Sequence, residues 1–124
     1  MPVTYKQLVD AANAVVPKVS GQEAREMVKK GALLVDIRDS AELATTGKAA
    51  PSLHVPRGSL ELKADLSAPS ADKNFAHDRP VIVHCAGGGR AALAGKLLLD
   101  MGYTDVRNLG GFKDWVEAGG EVDR

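Results

Sequence analysis

Residues 81–92 read Val81-Ile82-Val83-His84-Cys85-Ala86-Gly87-Gly88-Gly89-Arg90-Ala91-Ala92, a passage from strand-forming residues through a cysteine and three glycines into helix-forming residues. Val81 to His84 is short and nearly all apolar, the pattern of a strand covered on both faces. Ala91 to about Met101 then carries Leu93, Leu97 and Leu98 as a helical core stripe, and Gly102 supplies the stop. The order is strand, glycine loop, helix. In open parallel α/β sheets ligands bind outside the carboxyl ends of the strands, which is where this order puts Cys85.

The pattern repeats outward from that stretch. Ala32 to Ile37 (ALLVDI) is a second apolar run, and Tyr103 to Leu109 holds a third strand candidate before Gly110 and Gly111 turn into a short helix around Trp115. Thr4 with Gln7, and Ser20 with Glu23, have capping-box spacing. The first box predicts a helix carrying Leu8, Ala11, Ala12, Val15 and Val16 up to Pro17; the second predicts one carrying Ala24, Met27 and Val28 that closes at Gly31. Asp39 and Glu42 suggest another short helix stopped by Gly47 and Pro51. Leu53 to Val55 fits a brief strand, Ser59 to Ala64 a helical turn or two, and the polar stretch from Ser67 to Pro80 a surface connection. Alternating strands and helices predict an α/β fold with a mostly parallel sheet and helices on both faces. We expect one domain over 1–124, with 1–19 as a helical extension packed on it.

Composition narrows the partners. The 16 Lys+Arg balance the 16 Asp+Glu, leaving a formal net charge of zero with the two signs interspersed. A nonspecific binder of nucleic acid or of a membrane surface would show a basic face, so neither is expected. No stretch approaches the ~20 apolar residues of a membrane span, and the opening MPVTYKQLVD has no apolar signal core. The one cysteine forms no internal disulfide, which suits a reducing cytosol.

That cysteine carries the chemistry. Glycines at 87, 88 and 89 can take positive φ and turn successive N–H groups inward as an anion nest, to which the start of the next helix and Arg90 add positive charge. A thiol there is expected to ionise readily and to act as a nucleophile, whereas an inert packing cysteine would not require three glycines. Other readings of the loop fare worse. A cysteine phosphatase has one more residue between Cys and Arg than the four here, and the shorter ring suits a single sulfur better than a phosphate. Gly87, Gly89 and Ala92 satisfy a dinucleotide fingerprint, but Asp105 precedes its strand and too little chain follows for further nucleotide-binding units. His84 and Cys85, adjacent on a strand, point to opposite faces, and His54 and His77 lack ligand spacing, so no metal is expected.

The chain resembles the single-domain rhodanese-like proteins from about Ser20 to Gly120. The residues that carry the likeness are LLVDIRDSAEL (33–43) with Asp36 and Arg38, HVPRGSLE (54–61) with Pro56, the six-residue loop Cys85 to Arg90, and MGYTDVRNLGGFKDW (101–115) with Gly110, Gly111 and Trp115. The resemblance implies a rhodanese-like three-layer sandwich with a five-stranded sheet. It implies a sulfurtransferase that moves a sulfane sulfur from thiosulfate or another small anionic donor to a thiol or cyanide through a Cys85 persulfide, with no cofactor. Ala86, Gly87, Gly88, Gly89 and Arg90 would then hold the substrate, and Arg38 could reach the mouth of the site unless it anchors the loop by pairing with Asp36. Lys48 and Arg57 read as solvated charges, and Phe112 and Trp115 as packing residues. Gly47 to Ser52 replaces the family's usual Gly-His-Ile-x-Gly-Ala, and Ala91 stands where relatives often carry a serine able to cap the helix. The alternative to an enzyme is a catalytically quiet module that docks a partner through the loop.

Overall fold

The computed structural model describes residues 2–124. Capping boxes open the first two helices where the spacing predicts them. Thr4 Oγ1 accepts from Gln7 N–H at 3.1 Å at the head of α1 (Tyr5–Asn13), and Ser20 Oγ accepts from Glu23 N–H at 3.1 Å at the head of α2 (Gly21–Lys29). Helix α1 ends at Asn13, short of Val15 and Val16, because the chain unwinds before Pro17. The unwound turn still drops Val16 into the core at 1% exposure.

The remaining elements are β1 (Leu33–Asp36), α3 (Ser40–Thr46), β2 (Lys48–Ala49), β3 (Leu53–His54), a 3-10 turn (Arg57–Ser59), α4 (Leu60–Ala64), β4 (Val81–Cys85), α5 (Gly89–Asp100), β5 (Val106–Gly111), α6 (Phe112–Glu117) and β6 (Val122–Asp123). Strands order as β3-β1-β4-β5, all pairs parallel. This central sheet has four strands where the resemblance implied five. Lys48–Ala49 and Val122–Asp123 pair antiparallel as a separate two-stranded ribbon that ties the C-terminus to the turn after α3. Two-residue strands have no periodicity to read in a sequence.

Alternation along each strand feeds two cores. Leu33, Val35, Ile37, Val81, Val83 and Cys85 pack on one side with residues of α4 and α5 and with Val16, whereas Leu34, Ile82 and Leu109 pack on the other with Ala24 and Trp115. Both faces of β1 and β4 are therefore buried, which explains their unbroken apolar runs. The polar stretch from Ser67 to Pro80 forms no helix or strand, yet it inserts Phe75, 4% exposed, edge-on against Tyr103 at a ring separation of 5.8 Å. Among the described residues no helix is long and apolar enough to cross a membrane.

Candidate active site

Cys85 is the last residue of β4, at its carboxyl end, and is 1% exposed. Its side chain joins the core on the α5 side, with Val83, Ala91 and Ala94. His84 lies close to Phe112 of α6, with 6.4 Å between ring centroids, as period-two alternation requires. Past the cysteine the backbone turns sharply through exposed Ala86 and Gly87, and Gly88 takes φ +96°, where a Cβ would be strained. The turn brings Gly88 N–H to 3.0 Å from Cys85 Sγ.

Of the three loop glycines only Gly88 uses positive φ. At Gly89 an added Cβ would clash only with the Tyr5 hydroxyl of α1, the tip of an exposed side chain that can swing aside. Helix α5 starts at Gly89, two residues before the predicted Ala91. Ala91 is consequently inside the helix and fully buried, so a serine there would face the core instead of capping the first turn.

Strand β5 braces the loop from beside it. Gly111 stands opposite Cys85 in register, and a Cβ at 111 would collide with the Ala86 carbonyl. Asn108, 3% exposed, donates its Nδ2 to Gly88 O at 3.2 Å and accepts Gly110 N–H on Oδ1 at 2.7 Å. Sequence reasoning missed Asn108, although an asparagine between the apolar Val106 and Leu109 of a predicted strand is a detectable signal, because a buried amide must find partners.

Arg90 does not point its charge freely into the nest. Its guanidinium is held bidentately by Glu42, with Nη1 to Oε2 at 3.0 Å and Nη2 to Oε1 at 2.9 Å. Glu42 also caps α3 by accepting Asp39 N–H at 2.8 Å. Hydrogen bonds from Arg90, ahead of the opposing effect of burial, draw the Glu42 carboxyl down to about 2, and the same pairing raises Arg90 further. The capping spacing revealed Glu42 as a helix residue, but its grip on the loop, 48 positions away, had no local signal.

Arg38 lies in the interior and not at the mouth of the site. It is 2% exposed, its Nε and Nη2 bond the Asp36 carboxylate at 2.8–3.1 Å, Nη1 reaches Thr46 Oγ1 at 2.9 Å, and Nη2 reaches Gly47 O at 3.1 Å. The guanidinium carbon sits 4.5 Å from the Phe112 ring centroid. Arg38 ties the end of β1 to the end of α3 and the turn beyond it, a placement that matches the anchoring role. Burial pushes the Asp36 carboxyl up, but hydrogen bonds from Arg38, aided by the electrostatic influence of His84, prevail and leave it below the usual range. His84, fully buried with Nε2 3.7 Å from Asp36 Oδ2, is held below its ordinary value by burial, against the pull of Asp36.

The other charges are structural. Lys48 Nζ binds Ser52 O at 2.9 Å and closes the turn that replaces the family's usual segment; Arg57 pairs with Glu61 one helical turn on, at 3.0 Å. Trp115, 3% exposed, donates Nε1–H to Glu121 O at 2.8 Å and fills the second core. Among the described residues no group of three or more His, Cys, Asp or Glu side chains could hold a metal ion.

A buried cysteine at a strand end, cradled by a glycine turn and a following helix, sits in a fold that known proteins share. The rhodanese-like domain matches residues 20–118. The chain belongs to the rhodanese-like family. It is 31% identical over 107 residues to the thiosulfate sulfurtransferase GlpE of Haemophilus influenzae, covering 86% of this chain and 93% of that protein. Among solved structures, the polysulfide-sulfur transferase homodimer of Wolinella succinogenes superposes with a TM-score of 0.73 at 35% identity, over 93% of this chain and 83% of that one. A Rhodopseudomonas palustris protein described as "Possible Tyrosine Phosphatase" superposes with a TM-score of 0.86 at 37% identity, covering 99% of both chains. The family match begins at Ser20, so α1, which packs on α5 and touches the loop through Tyr5, lies outside the rhodanese-like domain as matched.

Proposed function

We propose that the chain is a sulfurtransferase that carries a sulfane sulfur on Cys85 from a small anionic donor, such as thiosulfate or a persulfide, to a thiol or cyanide. The observation that carries this reading is the Gly88 N–H donating to Cys85 Sγ at the carboxyl end of β4, directly before α5. That amide and the positive end of the helix supply the potential that a sulfur anion needs. The Cys85 thiolate attacks the outer sulfur of thiosulfate, forming an S–S bond while sulfite departs with the electron pair of the broken bond. A thiol or cyanide then takes the outer sulfur, and Cys85 leaves as thiolate. Arg90, fixed by Glu42, acts by holding the loop's exit in register and contributes charge at longer range. The backbone of residues 86–90 holds the donor and the persulfide. A reducing compartment keeps the thiol available between turnovers.

Mass spectrometry after incubation with thiosulfate is expected to show a mass gain of about 32 Da, one sulfur atom, on the peptide holding Cys85, with thiocyanate formed when cyanide is added. Cys85→Ser removes both. Equal inactivity of wild type and Cys85→Ser towards thiosulfate, glutathione persulfide and mercaptopyruvate overturns the proposal. It would favour a quiet docking module, for which the 1% exposure of Cys85 is the supporting observation. Aryl phosphate hydrolysis that depends on Cys85 would instead move the chain to phosphatase chemistry.

A further inference from the structure

Asn108 ties three parts of the chain together beside the cysteine loop. Strand β5 carries one residue more than β4 at this point: Val83 pairs with Asn108 but His84 pairs with Gly110, so Leu109 is the extra residue of a β-bulge. Asn108 closes the bulge by accepting Gly110 N–H on its Oδ1 at 2.7 Å. Its main chain meets the N-terminal segment along the outer edge of β5, donating N–H to Pro17 O at 2.9 Å and accepting Val19 N–H at 3.0 Å. With these groups fixed, the remaining Nδ2 donates to Gly88 O at 3.2 Å. That carbonyl already accepts Ala92 N–H at 2.9 Å at the head of α5, so the Asn108 amide takes its second lone pair. Gly88 is therefore held at both ends, its carbonyl by Asn108 and the helix and its N–H by Cys85 Sγ at 3.0 Å.

We propose that Asn108 is a positioning residue for sulfur transfer, fixing the Gly88 backbone so that its N–H stays aimed at the sulfur of Cys85. This rests on the sulfur-transfer reading above. Gly88 stands at φ +96°, and with no side chain it has nothing of its own to resist rotation about φ and ψ. An outside brace is needed, because a hydrogen bond weakens steeply once the N–H swings off line. Asn108 is a stiff brace: its backbone is pinned to residues 17–19 and its side-chain oxygen to the bulge. Asn108, Gly88 and Gly110 also share the lining of a cleft of about 310 Å³, bounded on the far side by Val9 and Asn13 of α1. When the side chain at 108 is shortened, water can enter from that cleft and solvate Gly88 O, so the loss falls on alignment more than on folding.

The test uses the full chain and two variants. Asn108→Asp keeps an acceptor for Gly110 N–H, and with it the bulge, but replaces the donor by a carboxylate oxygen that repels the Gly88 carbonyl; Asn108→Ala removes both contacts. At saturating thiosulfate both variants are expected to form the Cys85 persulfide about tenfold more slowly than wild type. For Asn108→Ala the half-saturating concentration should stay within about twofold of wild type, the mark of lost alignment and not of lost binding. On donor-free protein, solvent exchange of the amides followed by NMR should show Gly88 exchanging about tenfold faster in both variants while Val83 and Ala94 keep their protection. A wild-type rate in Asn108→Asp would leave at most the bulge as the source of any effect and overturn the inference, with sulfur transfer left standing. Unchanged Gly88 exchange in the variants overturns it equally, and if one variant fails to fold the Gly88 exchange of the other decides. A wild type that forms no persulfide overturns the sulfur-transfer reading and the role of Asn108 in it together.

Discussion

At Glu42 a single carboxylate serves two elements, capping α3 through Asp39 N–H and clamping Arg90 at the head of α5. With the Glu42 carboxyl drawn down to about 2, the Glu42–Arg90 pair stays ionised throughout the neutral pH range. Glu42→Gln keeps the shape but removes the charge and replaces one of the two acceptor oxygens by an NH2 donor, so the clamp can no longer be bidentate. We expect it to fold normally and to lower kcat for sulfur transfer about tenfold, ~1.4 kcal/mol in the barrier, because a loosened Arg90 lets the loop drift. Steady-state rates beside a thermal melt check this, and an unchanged kcat would mean that α5 alone positions the loop. Arg38 shows the opposite case. Its sequence position beside a strand end fits either a donor-binding residue or an anchor, and the structure shows five side-chain hydrogen bonds to Asp36, Thr46 and Gly47.

Between elements, the decisive contact is glycine against backbone. The β5 end and the loop pass so closely that the Ala86 carbonyl occupies the space of a Cβ at Gly111, while Gly88 and Gly110 both adopt positive φ beside one another. Gly111→Ala must push the loop outward and move Gly88 N–H away from the sulfur. A displacement of about 1 Å costs on the order of 100-fold in rate, so Gly111→Ala is expected to lose most sulfur transfer while keeping its far-ultraviolet circular dichroism. The same change at Gly87, where a Cβ meets only open space, should be far milder, and comparing the two variants separates backbone crowding from general loop stiffness. Small residues also let α1 sit close on α5. A Cβ at Gly95 would come within 2.9 Å of Val16, the residue that anchors the end of the N-terminal segment.

For the whole molecule, the buried Asp36 and His84 couple folding to pH. His84 is held neutral by burial, below its ordinary 6.5, so the unfolded chain binds a proton there that the folded chain refuses. That stability is complete above pH 6.5 and falls as pH drops below it; lowered Asp36 and Glu42 add a further loss below their ordinary 3.8 and 4.5. Urea midpoints between pH 7.5 and 5 should therefore decline, and His84→Gln should flatten that limb; an unchanged slope would remove His84 as its source. Much of this molecule is legible along the chain. Capping boxes at Thr4 and Ser20, doubly buried strands at 33–36 and 81–85, and the cysteine-glycine loop are local patterns of hydrogen-bond spacing and side-chain period, so the sequence alone determined the α/β class and the candidate nucleophile. Tertiary structure alone decided the fate of the charges and the borders of the site. Arg38 turned inward, Arg90 met Glu42, Asn108 braced Gly88, and α1 closed a cleft beside the loop, because each depends on which distant groups share a buried space. An ionic or amide group taken out of water must be matched by whatever partner the fold brings near, and that partner leaves no periodic mark in the chain.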